Sequence, residues 1–212
     1  MEALIVNKLR LGFLASHGGS NLQAIIDACK IGELDAKPCI IISNNNDSKA
    51  LQRAEKENIP YYRLSGKTHP IKEELDEEIL NVLLKYNVDL IILAGYMKKI
   101  GIKTLNKYRG KILNIHPALL PKYGGKGMYG DNVHSAVLES GDTVTGVTIH
   151  VIDEKYDNGP IVDQVEVPIY ETDDVESLKA RVLEKEHKFF VKTLKKITEG
   201  QIMLGEERPH FR

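Results

Sequence analysis

Apolar residues fall along this chain in short, nearly unbroken runs separated by stretches of helical spacing. Residues 9–16 form the first such run, and from Asn21 onward Leu22, Ile25, Ile26 and Cys29 share one helical face. Residues 39–43 predict a second strand, Asp47 is placed to cap a helix running through Glu57, and residues 59–64 predict a third strand. Pro70 suits a helix start, with Leu75, Ile79, Leu80, Leu83 and Tyr86 forming one apolar face behind it. Residues 88–94 are apolar almost throughout, as a strand covered on both sides should be, and residues 111–115 supply the next. This alternation predicts an α/β fold with a single Rossmann-like, doubly wound, mostly parallel sheet.

The second half changes character. Residues 144–152 and 161–169 are β-branched runs joined by a turn around Asp157-Asn158-Gly159-Pro160, which predicts a hairpin and hence an antiparallel C-terminal extension of the sheet. Residues 176–197 predict a long helix with Leu178, Val182, His187, Phe189, Phe190 and Leu194 toward the body, and the tail from Gly205 is expected to pack weakly. With no linker, repeat or low-complexity segment, residues 1–212 read as one domain.

Charge and composition narrow the function. Lys and Arg number 29 against 30 Asp and Glu, a net charge of −1, so the fold as a whole is no polyanion binder. The basic concentration Lys98, Lys99, Lys103, Lys107, Arg109 and Lys111 reads as a solvated helix face that could steer an anionic substrate if it borders a cleft. Aromatic residues around it are too sparse for nucleic acid. Cys29 and Cys39 fit neither metal nor redox spacing and are expected to be buried reduced thiols. No His, Cys, Asp and Glu set has metal-ligand spacing, so no metal is expected. No apolar run approaches a signal peptide or a membrane span, so a cytoplasmic protein with no membrane partner is expected.

The candidate chemistry lies in three segments. In Leu113-Asn114-Ile115-His116-Pro117-Ala118-Leu119-Leu120-Pro121, Asn114 and His116 are two apart at a strand end and point to one face. Open α/β sheets bind ligands at such ends. Asn114 offers an amide donor to a developing oxyanion, and His116 can hold or pass a proton. Asp157 is either a turn former or a carboxylate that orients His116, raises its pKa and favours its protonated form. Gly18, Gly19, Ser20 and Asn21 open the first helix, where a phosphate would be favoured, although Ser20 or Asn21 could simply cap it. His17 and His134 could line a site, while His150 reads as a core histidine. No serine sits in a nucleophile elbow, which argues against covalent catalysis.

Four segments together carry a resemblance over nearly the whole chain: His17-Gly18-Gly19-Ser20-Asn21-Leu22-Gln23-Ala24-Ile25, Leu93-Ala94-Gly95-Tyr96-Met97, the Asn114–Pro121 stretch, and Asp157-Asn158-Gly159-Pro160-Ile161. They resemble the phosphoribosylglycinamide formyltransferase family. The resemblance implies the formyltransferase fold and transfer of the formyl group of 10-formyltetrahydrofolate, the co-substrate, to the glycinamide amine of 5′-phosphoribosylglycinamide in purine biosynthesis. It implies small-molecule partners and assigns no oligomeric state. Asn114, protonated His116 and Asp157 would then be catalytic; Gly19, Ser20, Asn21 and Glu186 would bind the phosphoribosylglycinamide. Met97, Lys98, Lys99, Ile100, Asp153, Glu154, Lys155 and Tyr156 would wall the pterin, and Lys72 would meet the acidic tail of the folate. Leu120-Pro121 is a candidate cis peptide.

The chain departs from the family pattern in the Gly-rich stretch at residues 124–130, in Asn132-Val133-His134 where many relatives carry His-x-His, and in Lys99 where an apolar residue is common. Three alternatives stand beside this reading. A hydrolase releasing formate from the same folate would share the Asn, His and Asp but need no phosphate loop. A methionyl-tRNA formyltransferase would need a tRNA-binding domain for which there is no room. A non-catalytic anion-binding module would leave Asn114 and His116 structural.

Overall fold

The computed structural model describes residues 8–205 and 210–211. Five parallel strands build most of one sheet: β1 (Leu9–Ala15), β2 (Ala36–Ser43), β3 (Tyr61–Arg63), β4 (Leu90–Leu93) and β5 (Ile112–His116). Two antiparallel strands, β6 (Val144–Val151) and β7 (Ile161–Pro168), complete it in the order β3-β2-β1-β4-β5-β6-β7. The doubly wound sheet with its antiparallel extension is therefore as expected. Helices α1 (Ser20–Lys30), α2 (Lys49–Lys56), α3 (Lys72–Lys85), α4 (Ile102–Lys107), α5 (Asp131–Glu139) and α6 (Val175–Thr198) flank it.

Strands β1 and β4 are apolar because both of their faces are covered. Leu11, Phe13, Leu90 and Ile92 pack into a large core with α1 and α6, while Leu14, Ile91 and Leu93 face a second core under α3. Gly12 in β1 lets α3 approach, since a Cβ there would stand 3.0 Å from Leu83 Cδ2.

Several boundaries differ from expectation for local reasons. Ser48, not Asp47, caps α2, accepting from the Ala50 amide at 3.1 Å. Helix α3 begins at Lys72 behind Ile71, so Pro70 lies just outside it and terminates the preceding loop instead. The third and fourth strands are shorter than the apolar runs that contain them. Helices α4 and α5 were not apparent in the apolar pattern, because each is short and draws its start from a tertiary contact or a glycine rather than from a cap residue. Cys29 is half-buried rather than buried; Cys39 is buried, and both are free. The expectation for the tail after Gly205 falls largely outside the described residues, although β9 (His210–Phe211) pairs with β8 (Ile202–Met203). No helix among the described residues is long and apolar enough to cross a membrane.

The start of α4 makes a stability prediction. Buried Asp76 on α3 accepts from the Lys103 amide at 2.7 Å and the Thr104 amide at 3.1 Å, capping α4 from outside. A Cβ at Gly101 would lie 2.1 Å from the Asp76 carboxyl carbon. Gly101→Ala must push that carboxylate off the helix, and a loss of about 2 kcal/mol or more in chemical denaturation is expected.

Candidate functional site

Strand β5 ends in the middle of the sheet, next to the first antiparallel strand, and the candidate chemistry collects there. His116 is 3% exposed, and its Nδ1 lies 3.8 Å from Asp157 Oδ2. The chain reaches this position because Asp157 adopts a positive φ of 51° in the β6–β7 connection, which turns the carboxylate back over β5. Asp157 Oδ2 also accepts from the Gly125 amide at 3.0 Å. His116 Nε2 is 2.8 Å from the Tyr123 carbonyl oxygen. A carbonyl can only accept, so Nε2 carries the hydrogen, and Nδ1, facing Asp157, is the nitrogen that gains or loses a proton.

Burial lowers the His116 pKa below its ordinary value, with Asp157 and the Tyr123 carbonyl opposing it. This corrects the expectation of a resting imidazolium. The carboxylate has the anticipated sign, but at 3.8 Å it does not outweigh desolvation, and His116 rests neutral near pH 7.

His150 belongs to this cluster and not only to the core. It pairs in register with Asn114 across β5 and β6, and its Nε2 is 3.1 Å from Asn114 Nδ2 and 3.6 Å from Asp157 Oδ1. Its Nδ1 must donate to the Val151 carbonyl at 3.1 Å, so Nε2 accepts from Asn114. One amide hydrogen of Asn114 is thereby fixed, and the other has no partner among the described residues. Burial also depresses the pKa values of His150 and of buried His134 on α5. The sequence signal for His150 was its alternation within a strand, which shows a face and not which partner strand lies opposite.

The first loop is built differently from a side-chain cap. Gly19 is the residue before α1, with φ 64°, and no side chain caps the helix, so Ser20 and Asn21 are not cap residues. A Cβ on Gly19 would meet Ala50 Cβ at 3.0 Å in a conformation that already favours glycine. Ser48 Oγ donates to the His17 carbonyl at 2.9 Å, and Arg53 Nε to that of Gly18 at 3.0 Å, so α2 holds the loop in place. Arg53 is a cation at this loop that sequence reading did not single out, because it arrives from a different helix. The exposed basic run before β5 is partly neutralised where Lys103 meets Glu77 at 2.7 Å.

Glu186, rather than His187, is the inward residue of its turn of α6. It is 8% exposed and accepts from Asn21 Nδ2 at 2.6 Å, whereas His187 is half-buried. Asn21 Oδ1 is buried without a partner among the described residues. Burial pushes the Glu186 carboxyl up to about 7. Between its ordinary value of 4.5 and about 7 the folded protein keeps a proton that the unfolded chain has released, so stability falls as pH rises through that window. Glu186→Gln removes the titration. Its thermal midpoint should exceed that of the unmodified protein at pH 8 and match it at pH 4.5, a gain on the order of 3 kcal/mol.

The remaining candidates lie along two facing loops. Met97 donates its amide to Ser16 Oγ at 2.7 Å, which ties residues 97–100 to the end of β1. Lys99 Nζ stands 4.9 Å from the Tyr156 ring and 3.4 Å from the Glu154 carbonyl oxygen, joining this loop to residues 153–157. Asp153 closes the second loop on itself, accepting from the Lys155 amide at 2.8 Å. Lys98 and Ile100 share the first loop. Lys72 is exposed at the start of α3, and no hydrogen bond or ion pair among the described residues connects it to the others. Leu120-Pro121 is cis. Among the described residues no His, Cys, Asp and Glu group could hold a metal ion.

An amide donor, a buried base and a carboxylate at the end of a parallel sheet suit group transfer, and the chain belongs to the formyl transferase family, whose model matches residues 9–194. Within it, the chain is 41% identical to the phosphoribosylglycinamide formyltransferase of Haemophilus influenzae, over 93% of this chain and 91% of that protein. It is also 42% identical, over 96% of its own length, to the trifunctional purine biosynthetic protein adenosine-3 of Chironomus tentans, of which it spans only 15%. The glycinamide ribonucleotide transformylase 1 of Symbiobacterium toebii superposes with a TM-score of 0.88 at 33% identity, covering 96% of this chain and 94% of that one.

Proposed function

We propose that this formyltransferase moves the formyl group of 10-formyltetrahydrofolate to the glycinamide amine of 5′-phosphoribosylglycinamide. It does so as a single cytoplasmic domain acting on small molecules, with neither nucleic acid nor membrane as partner. The observation that carries the reading is the convergence of Asn114, His116 and Asp157 at one strand end, on the same edge of the parallel strands as a glycine-led helix start.

The amine attacks the formyl carbon and a tetrahedral oxyanion forms. Asn114 directs its second amide hydrogen at that oxygen. Neutral His116 takes the proton lost by the amine at Nδ1, directly or through water, and Asp157 stabilises the imidazolium as it appears. The cation is thus present when the oxyanion is, which favours the transition state over the ground state. His116 then returns the proton to the leaving folate nitrogen, so protons balance without a covalent enzyme intermediate.

Gly19, Ser20 and Asn21 bind the substrate phosphate through backbone amides at the positive end of α1. Glu186, near Asn21, meets the glycinamide-ribose end. Met97, Lys98, Lys99 and Ile100 form one wall for the pterin, and Asp153, Glu154, Lys155 and Tyr156 the other. Lys72 meets the acidic tail of the folate.

Calorimetric titration tests the binding half of this reading. Phosphoribosylglycinamide should bind the unmodified protein, and Gly19→Val should weaken it at least tenfold while folate affinity stays within twofold. Equal affinity of the variant for the ribonucleotide would remove the phosphate site from this loop.

A further inference from the structure

We propose that Tyr123 is a positioning residue for His116, fixing through an anchored main-chain carbonyl which imidazole nitrogen serves as the base. The inference rests on the catalytic reading of His116 given above, but its first readout does not need turnover.

Tyr123 has a φ of 59°, a conformation that residues with a side chain adopt reluctantly, so something outside the backbone must hold it. The ring supplies that hold. Tyr123 Oη lies 2.6 Å from Asp142 Oδ2 and 2.5 Å from Ser140 Oγ, in the connection that follows α5. Asp142 is itself held by Lys122 at 2.5 Å, and Ser140 Oγ donates to the Val137 carbonyl at 2.7 Å. The ring end of Tyr123 is therefore tied to the C-terminal end of α5, and its carbonyl end to His116 at 2.8 Å.

The same turn grips the other half of the pair. Two residues on, the Gly125 amide donates to Asp157 Oδ2 at 3.0 Å. Between them Gly124 leaves no room for a side chain, since a Cβ would lie 2.5 Å from Leu120 Cδ2 and 3.2 Å from Asp157 Cβ. One three-residue turn thus sets the tautomer of His116 and the orientation of Asp157. If the carbonyl swung away, the neutral imidazole could place its hydrogen on Nδ1, facing the carboxylate, and Nδ1 would cease to be a base. Asp157 is the charge that acts on His116, and His116 in turn bears on His134 and His150. The phenol anchor acts through geometry and adds no charge beside them.

The test is two-bond ¹H–¹⁵N NMR of the His116 ring in ¹⁵N-labelled protein, with kcat measured against pH. The unmodified protein should show neutral His116 in the Nε2–H tautomer alone. Tyr123→Phe, which keeps the ring and loses the hydroxyl, should populate the Nδ1–H tautomer. It should also lower kcat by about three- to tenfold and move the His116-controlled limb of the profile, with KM for both substrates within twofold. This is a fraction of the roughly 10²- to 10⁴-fold that a positioned acid–base group supplies. Asp142→Ala removes the anchor from the far side, should act in the same direction, and decides the matter if Tyr123→Phe does not fold. An unchanged tautomer and an unshifted profile in these variants would overturn the proposal. If the unmodified protein transfers no formyl group, the catalytic reading fails, and the tautomer measurement still decides the positioning role.

Discussion

Asn114→Ala is expected to lower kcat for formyl transfer by about 10²- to 10³-fold, the cost typical of removing one donor from an oxyanion site. In the proposed mechanism this is a transition-state effect. Asn114 spends one amide hydrogen on His150 Nε2 at 3.1 Å, which fixes the plane of the amide and leaves the second hydrogen directed, with no partner among the described residues. In the proposed reading, ground-state binding uses the loops at residues 97–100 and 153–157 and the start of α1, none of which includes Asn114. KM for both substrates should therefore stay within a few fold, and the loss should appear equally in kcat and kcat/KM. Steady-state kinetics on the variant, with its fold checked by circular dichroism, separates the cases. A raised KM with unchanged kcat would make Asn114 a binding residue only.

Asp157→Asn should have the second large effect, and it carries a sign that can be checked. The Asp157 charge opposes burial at His116 and His150, raising both pKa values against the desolvation that lowers them. Without it the His116 pKa falls further, so the acid limb of kcat/KM, where the neutral base is lost, should move to lower pH. The Asn side chain retains an oxygen toward the Gly125 amide but cannot stabilise an imidazolium. A fall in kcat of about 10²- to 10⁴-fold is expected, as for loss of a carboxylate behind a catalytic histidine. A limb that moves to higher pH, or does not move, would show that Asp157 has no electrostatic hold on His116.

The parts of this site that sequence conveys are those fixed by one strand and its own loop. Asn114 and His116 share a face because side chains alternate along β5, and the first βα loop announces itself through its glycines. The hairpin from residue 144 onward is legible because β-branched runs flank an Asp-Asn-Gly-Pro turn. What the sequence cannot convey is who lies across the sheet. His150 looks like any alternating core residue until β5 and β6 are paired in register, and only then does it become the acceptor that orients Asn114.

The protonation state of His116 is hidden from the sequence for a related reason. The turn offers a carboxylate as a possible partner, but neither its contact with His116 nor the depth of burial can be read from it, and burial is the larger effect. Arg53 and Asp76 share a property that local patterns do not record, since each acts on an element distant in sequence, and Tyr123 depends on such a contact through its hydroxyl at Ser140 and Asp142. Helices α4 and α5 escaped notice because their starts depend on Asp76 and on Gly130, not on cap residues of their own.

Direct transfer at this cluster is tested most directly by following the label of [¹⁴C]formyl-tetrahydrofolate through a single turnover, with and without phosphoribosylglycinamide. The account predicts that label leaves the folate only when the ribonucleotide is present and that all of it appears on the ribonucleotide. Release of labelled formate at the same rate without the ribonucleotide would contradict it, and would make the Asn114, His116 and Asp157 site that of a hydrolase.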